Sequence, residues 1–161
     1  MQGQGETGLV PLRQGLAAVV AMGQGASRPF GLFRLAEVAG HRGQMEEGLR
    51  LLAEALKALE ANAQGDRLAE VYRFQGELLL RQAIPEAIQA EACLQQALTI
   101  ARQQQAQSWE LRAAVSLSRL WQQQGKRAEA YDLLAPLYGW FTEGFDTADL
   151  QDARALLEAL A

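Results

Sequence analysis

The residues whose types could support chemistry are few. Cys93 is the only cysteine and His41 the only histidine among 161 residues, so no intramolecular disulfide can form and a Cys/His zinc site cannot be assembled. Glu46 with Glu47, and Glu86 with Glu91, bring carboxylates close together, the residue type glycoside hydrolysis needs. Both pairs fall where helices are expected to start, and acidic groups there offset the helix dipole. His41 falls at an expected helix end and reads as a favourable charge contact with the last carbonyls. Cys93, beside Leu94 in an apolar stripe, reads as a small core residue. The chain has no GxxxxGK[ST] phosphate loop and no acid, base and nucleophile constellation. We therefore expect no enzyme, no cofactor and no metal.

Composition points the same way. Apolar residues make up 49% and charged residues 21% of the chain, which favours a folded globular protein over a disordered one. Leu and Ala dominate while Val and Ile together number nine, a balance that suits helix interiors and starves strands. The net charge is −4 with no long Lys/Arg run, so nucleic acid is not an expected partner. No apolar run approaches the ~20 residues of a membrane span, and no leader pattern is visible. The expected location is cytoplasmic, with no membrane partner.

What positions these residues is a repeat. The segment Gly3-Gln4-Gly5-Glu6-Thr7-Gly8-Leu9, with Leu12 and Leu16, returns forty residues later as Gly43-Gln44-Met45-Glu46-Glu47-Gly48-Leu49, with Leu52 and Leu56. A third copy begins at Gly125, where Ala130, Leu134 and Leu137 take the places of Gly48, Leu52 and Ala55. Apolar residues three and four apart put Leu32, Leu35, Ala36 and Ala39 on one helical face, and Leu49, Leu52, Leu56 and Leu59 on another. Each unit thus reads as two helices and a turn. Small residues recur at Ala36, Gly76 and Ser118 in the first helices and at Gly48, Ala90 and Ala130 in the second. Helices joined by a short turn approach to about 8–10 Å, and a small side chain at the crossing permits it.

This order of small residue, large residue, turn glycine, alanine, large residue, alanine resembles the tetratricopeptide (TPR) consensus, whose period is about 34 residues. The resemblance implies an all-α, right-handed α-α superhelix of about seven helices. The expected organisation is one domain over 1–161: a half repeat over 8–22, repeats over 29–62, 68–104 and 108–138, and a capping helix over 147–160. The period here is longer, and the turn Gln82-Ala83-Ile84-Pro85 exceeds its counterparts. A second resemblance covers nearly the whole chain. The stretches GLFRLAEVAGHRGQMEEGLRLLAEAL, AEVYRFQGELLL, EAEACLQQALTIARQQQAQSWELRAAVSLSRLWQQQG and LYGWFTEGFDTADLQDARALL are similar to C-terminal repeat regions of bacterial multidomain proteins. In those proteins the repeats follow a class III adenylate/guanylate cyclase domain and a STAND-type ATPase domain, or an ATPase with a transcriptional output domain. That resemblance implies a sensor or assembly platform, with any cyclase or ATPase chemistry outside this chain.

The ends carry further expectations. The half repeat leaves an apolar face open, which fits either a piece of a longer solenoid or a homodimer formed through that face. Pro11 interrupts its helix. Pro136 is expected to kink or stop the sixth helix, Thr147 to cap the last, and Tyr138, Trp140, Phe141 and Phe145 to anchor that cap.

The TPR resemblance places a binding surface on the first helix of each pair. The residues expected to face that groove are Phe33, Glu37 and His41, then Arg73, Glu77 and Arg81, then Arg112, Arg119, Gln122 and Gln123. Four guanidinium groups could there hold an acidic peptide by forked hydrogen bonds. The same residues also read as a solvated face carrying i,i+4 pairs such as Arg73 with Glu77 or Glu77 with Arg81. Phe33 and Glu37 stand where TPR chaperone adaptors carry their Lys and Asn clamp, so chaperone tails are not expected. The leading expectation is a protein or peptide partner of unknown identity. The alternative is a small-ligand sensor, for which Phe30, Phe33 and Trp109 are the available aromatic residues.

Overall fold

A computed structural model describes Val10, Gln14, Gly15, Ala17, residues 28–61, Gly65 and residues 67–161. Among these residues there are seven helices and no strand: α1 (Arg28–His41), α2 (Met45–Ala61), α3 (Leu68–Leu80), α4 (Ala87–Gln103), α5 (Gln107–Gln123), α6 (Arg127–Tyr138) and α7 (Ala148–Leu160). The expected all-α chain of helix pairs with a closing helix is what forms. The half repeat over 8–22 lies almost wholly outside the described residues, and with it Pro11 and the open face on which a homodimer would depend. None of the described helices is long and apolar enough to cross a membrane.

Helices pair as α1 with α2, α3 with α4, and α5 with α6, and α7 packs on both α5 and α6. The crossings fall at the small residues, all of them buried. A Cβ added at Gly76 would lie 2.8 Å from Leu94 Cγ and 3.0 Å from the Ala90 carbonyl oxygen. At the equivalent crossing of the third pair there is room for Ser118, whose hydroxyl donates to the Ala130 carbonyl at 3.1 Å. Around these crossings Leu52, Leu78, Leu94, Leu117 and Leu134 are fully buried, each contributing about 2 kcal/mol of apolar transfer free energy.

Three helices end in the same way. The amides of Gln44, Ala106 and Lys126 donate back to the carbonyls of Ala39, Ala101 and Trp121 at 2.9, 2.9 and 2.8 Å. The residue before each has positive φ: Gly43 at 77°, Gln105 at 54° and Gly125 at 81°. This closure satisfies helix-end carbonyls but needs a left-handed residue, which glycine supplies without a Cβ clash.

Several local expectations are corrected. Pro136 lies inside α6, which runs on to Tyr138 before stopping. Thr147 has the extended backbone of an N-cap but makes no capping bond, because its hydroxyl donates to the Gly144 carbonyl at 2.7 Å. Glu91 is not in the first turn of α4; its carboxylate instead accepts from Trp121 Nε1 at 2.9 Å and Gln124 Nε2 at 3.3 Å. Cys93 is only half-buried, and burial raises its thiol pKa. Of the aromatic cluster, Tyr138 and Phe141 pack on the core, and the Tyr138 and Phe145 rings lie 5.9 Å apart. Trp140 stays half exposed.

Candidate interaction surface on the inner helices

Two ranks of helices arise from the pairing. The first helices touch one another in succession, α1 with α3, α3 with α5, and α5 with α7, whereas none of α2, α4 and α6 touches another of that set. A stack held together along one rank and open along the other bends toward the held side. The inner rank of α1, α3, α5 and α7 is therefore the surface on which extended recognition is expected in a solenoid.

The structure redistributes the residues expected to face that surface. Phe33 is buried, and its ring meets Phe74 edge-on at 6.0 Å between centroids. Arg73, three residues before Gly76 as Phe33 is before Ala36, is buried as well, and so is Val115 three before Ser118. That position points into the joint between neighbouring inner helices. An inner helix is covered by its own partner and by the helices on either side, so the face left to water is narrower than an isolated pair suggests.

Arg73 is held by carboxylates. Its Nε and Nη2 donate to Glu70 at 2.9 and 3.2 Å, and its Nη1 pairs with Glu77. Burial works to lower the Arg73 pKa, but the Glu77 and Glu70 carboxylates outweigh it and raise the value above the ordinary guanidinium range. The expected Arg73–Glu77 pair thus forms. Glu77 also accepts from the Ser116 hydroxyl at 2.8 Å. Glu70, itself buried, accepts from Arg112 at 2.8 Å, and Arg112 reaches on to Asp149 of α7 at 3.6 Å. Arg119 pairs with Asp152 of α7 at 3.3 Å. Four residues of this polar network, Glu70, Arg73, Arg112 and Asp149, run across three inner helices.

The remaining expected residues lie at its margins. Glu37 pairs with Arg34 at 2.6 Å on α1. Arg81 donates through Nη2 to the Gly40 carbonyl at 2.9 Å, tying the end of α3 to the end of α1. Gln122 is partly buried near the end of α5, while Gln123 and His41 are exposed at helix ends. Of the aromatic residues a small ligand would need, Phe33 is in the core and Trp109 packs against Ala69, Ile100 and Ala101. Phe30 is exposed with the Arg67 guanidinium 4.8 Å above its ring.

Two recesses open at helix ends, and no pattern within one repeat marks them. One of about 1320 Å³ lies between the α1–α2 turn and the α3–α4 loop, with Met45, Glu46, Ile84 and Glu86 among its walls. The other, of about 670 Å³, lies between the end of α4 and the outer side of α6, beside Trp140. The signal for the second was present in the sequence: Gln105 stands where the equivalent turns carry Gly43 and Gly125.

Comparison with solved structures places this architecture. The chain is similar to the nearly identical TPR-like repeats of a kinesin light chain-like protein from Podosopora anserina, with a TM-score of 0.71 at 19% identity, covering 98% of this chain and 78% of that one. A variant of the same protein gives a TM-score of 0.73 at 17% identity, covering 98% and 77%. No family model matches the chain, and neither does any curated protein. The fold is a TPR-like repeat solenoid.

Proposed function

We propose that this chain is a non-catalytic protein-interaction module that holds a segment of a partner protein along α1, α3 and α5. The observation that carries this reading is the ordered network on that surface. Glu70, Arg73 and Arg112 hold one another in place, so the side chains at their margins are fixed before a partner arrives, which lowers the entropy cost of binding. Arg112 and Arg119 keep exposed edges, with side chains 36% and 48% accessible. A guanidinium has five donors and each of these spends only one or two, leaving others for a partner's carboxylates. Phe33 and Arg73 serve as support for that surface, while Glu37, Glu77, Arg81 and Gln122 border it.

The four sequence stretches similar to bacterial repeat regions support a finer reading. In it the module is the regulatory part of a cytoplasmic signalling protein, and a cyclase or ATPase domain elsewhere supplies the chemistry. A photo-crosslinking amino acid placed at Gln122 or Arg119, and for comparison at the exposed Gln96 of the outer helix α4, tests the binding surface. Inner positions should form one discrete protein adduct in cells, and Arg119→Glu should reduce the Gln122 adduct about tenfold with helicity unchanged. Equal adducts from Gln96 would remove the inner surface from consideration. Arg112→Glu is the poorer probe, because it also breaks the contacts to Glu70 and Asp149.

A further inference from the structure

We propose that the cleft between the end of α4 and the outer side of α6 is a second docking site, one that takes a lysine or arginine side chain of a partner polypeptide. The site does not depend on what lies along the inner helices. Asp132, Pro136 and Trp140 are spaced four apart, which places them in one stripe along α6 and just past its end. The Trp140 indole is half exposed, and among the described residues no hydrogen bond occupies its N–H. Asp132 is exposed and has no ion-pair partner among the described residues.

The charges at the cleft favour a cation. Arg102, the one basic wall, donates through Nε to the buried Glu110 at 2.7 Å, and with Asp132 the charged walls carry an excess of one negative charge. Asp132 is the exposed carboxylate among these walls, and an indole such as that of Trp140 attracts positive charge over its face. The volume of about 670 Å³ exceeds a single side chain, so a short peptide segment carrying the cation can enter.

Gln105 supplies a separate observation. It lines this cleft while holding φ at 54°, a conformation given to glycine in both sister turns. A non-glycine residue there is strained, and strain kept at a cleft wall marks a side chain with a use beyond closing the turn. The Gln105 amide can bond the backbone of a peptide whose cation lies between Trp140 and Asp132.

Selection of a random peptide library on the full chain, and on its Asp132→Asn, Trp140→Ala and Gln105→Gly variants, tests the site. The wild-type chain should enrich sequences with a fixed Lys or Arg, and those peptides should bind Asp132→Asn and Trp140→Ala at least tenfold more weakly. Gln105→Gly should melt at or above the wild-type temperature and yet bind more weakly, a combination that a purely structural glutamine would not produce. Basic peptides that bind all four proteins alike, or selection of acidic or uncharged sequences only, would overturn the proposal. So would a neutral glycan whose binding needs Trp140 and not Asp132, since the cleft would then be a sugar site.

Discussion

The two joints along the inner rank occupy the same register and are built from opposite chemistry. Between α1 and α3, Phe33 and Phe74 meet edge to face in a buried apolar contact. Between α3 and α5, the residues at the same offsets are Arg73, held by Glu70 and Glu77, and Ser116, which donates to Glu77. The contrast extends outward. Glu91 of α4 and Trp121 of α5 are joined by a hydrogen bond, where the preceding unit carries Leu49 and Leu79 in register. A repeat therefore fixes where a joint falls and how closely its helices approach, but it leaves open how the joint is sealed. An apolar seal contributes burial; a charged seal contributes less net stability and a defined arrangement of the helices.

That difference can be broken from either side. Phe74→Ala should be the costliest change, about 4 kcal/mol, because it empties a buried aromatic site in the first joint. Urea denaturation should show a lower midpoint with little change in slope; a loss near zero would mean that the first joint is not sealed by its rings. Arg73→Ala should cost about 3 kcal/mol, since it leaves Glu70 buried with Arg112 as its one remaining ion partner. The double replacement Glu70→Gln with Arg73→Met should cost less, about 1 kcal/mol, because no uncompensated charge stays buried. If the double variant were as unstable as the single one, the penalty would come from lost shape and not from lost pairing.

The hairpin crossings sharpen the comparison at smaller scale. At Gly76 an added Cβ meets the backbone oxygen of Ala90 at 3.0 Å, whereas Ser118 fits its own crossing with a hydroxyl to spare. Gly76→Ala should therefore cost about 2 kcal/mol through overpacking, despite alanine's better helix propensity. A stabilised Gly76→Ala protein would show that the second hairpin can open to the spacing of the third.

These examples also mark what could be read in the sequence. The crossings were legible at Ala36, Gly76 and Ser118 because side-chain size at a crossing is a local, periodic property. The assignment of Phe33 and Arg73 to an open groove failed because their burial is set by the next inner helix, and nothing within one repeat records how closely that helix packs. The opposed charges of Glu70, Arg73 and Glu77 were visible as spacing, but the reach of Arg112 to Glu70 and Asp149 joins three helices that no local pattern relates. Thr147 looked like a cap by type and place, and its hydroxyl found a nearer acceptor at Gly144. Gln105 was readable in principle as the missing turn glycine. The cleft it lines depends on α6 passing beside the end of α4.

The smallest expected effect concerns the polar outer link. The hydrogen bond from Trp121, aided by Gln124 and Lys126, holds the Glu91 pKa below the usual carboxylate value against an opposing contribution from burial. A carboxylate whose folded pKa is depressed adds stability above its unfolded pKa, about 4.3 for glutamate, and loses it as pH falls through the folded value. Wild type should therefore exceed Glu91→Gln in stability at about pH 6, and the gap should close by about pH 3. Because Glu91 remains partly open to water, the whole effect should stay below about 1 kcal/mol. Paired urea titrations across that range would show it as converging midpoints. Midpoints that stay parallel would mean that Trp121 holds the neutral amide as well as the carboxylate, so that the second joint owes its polar character to shape and hydrogen bonding and not to charge.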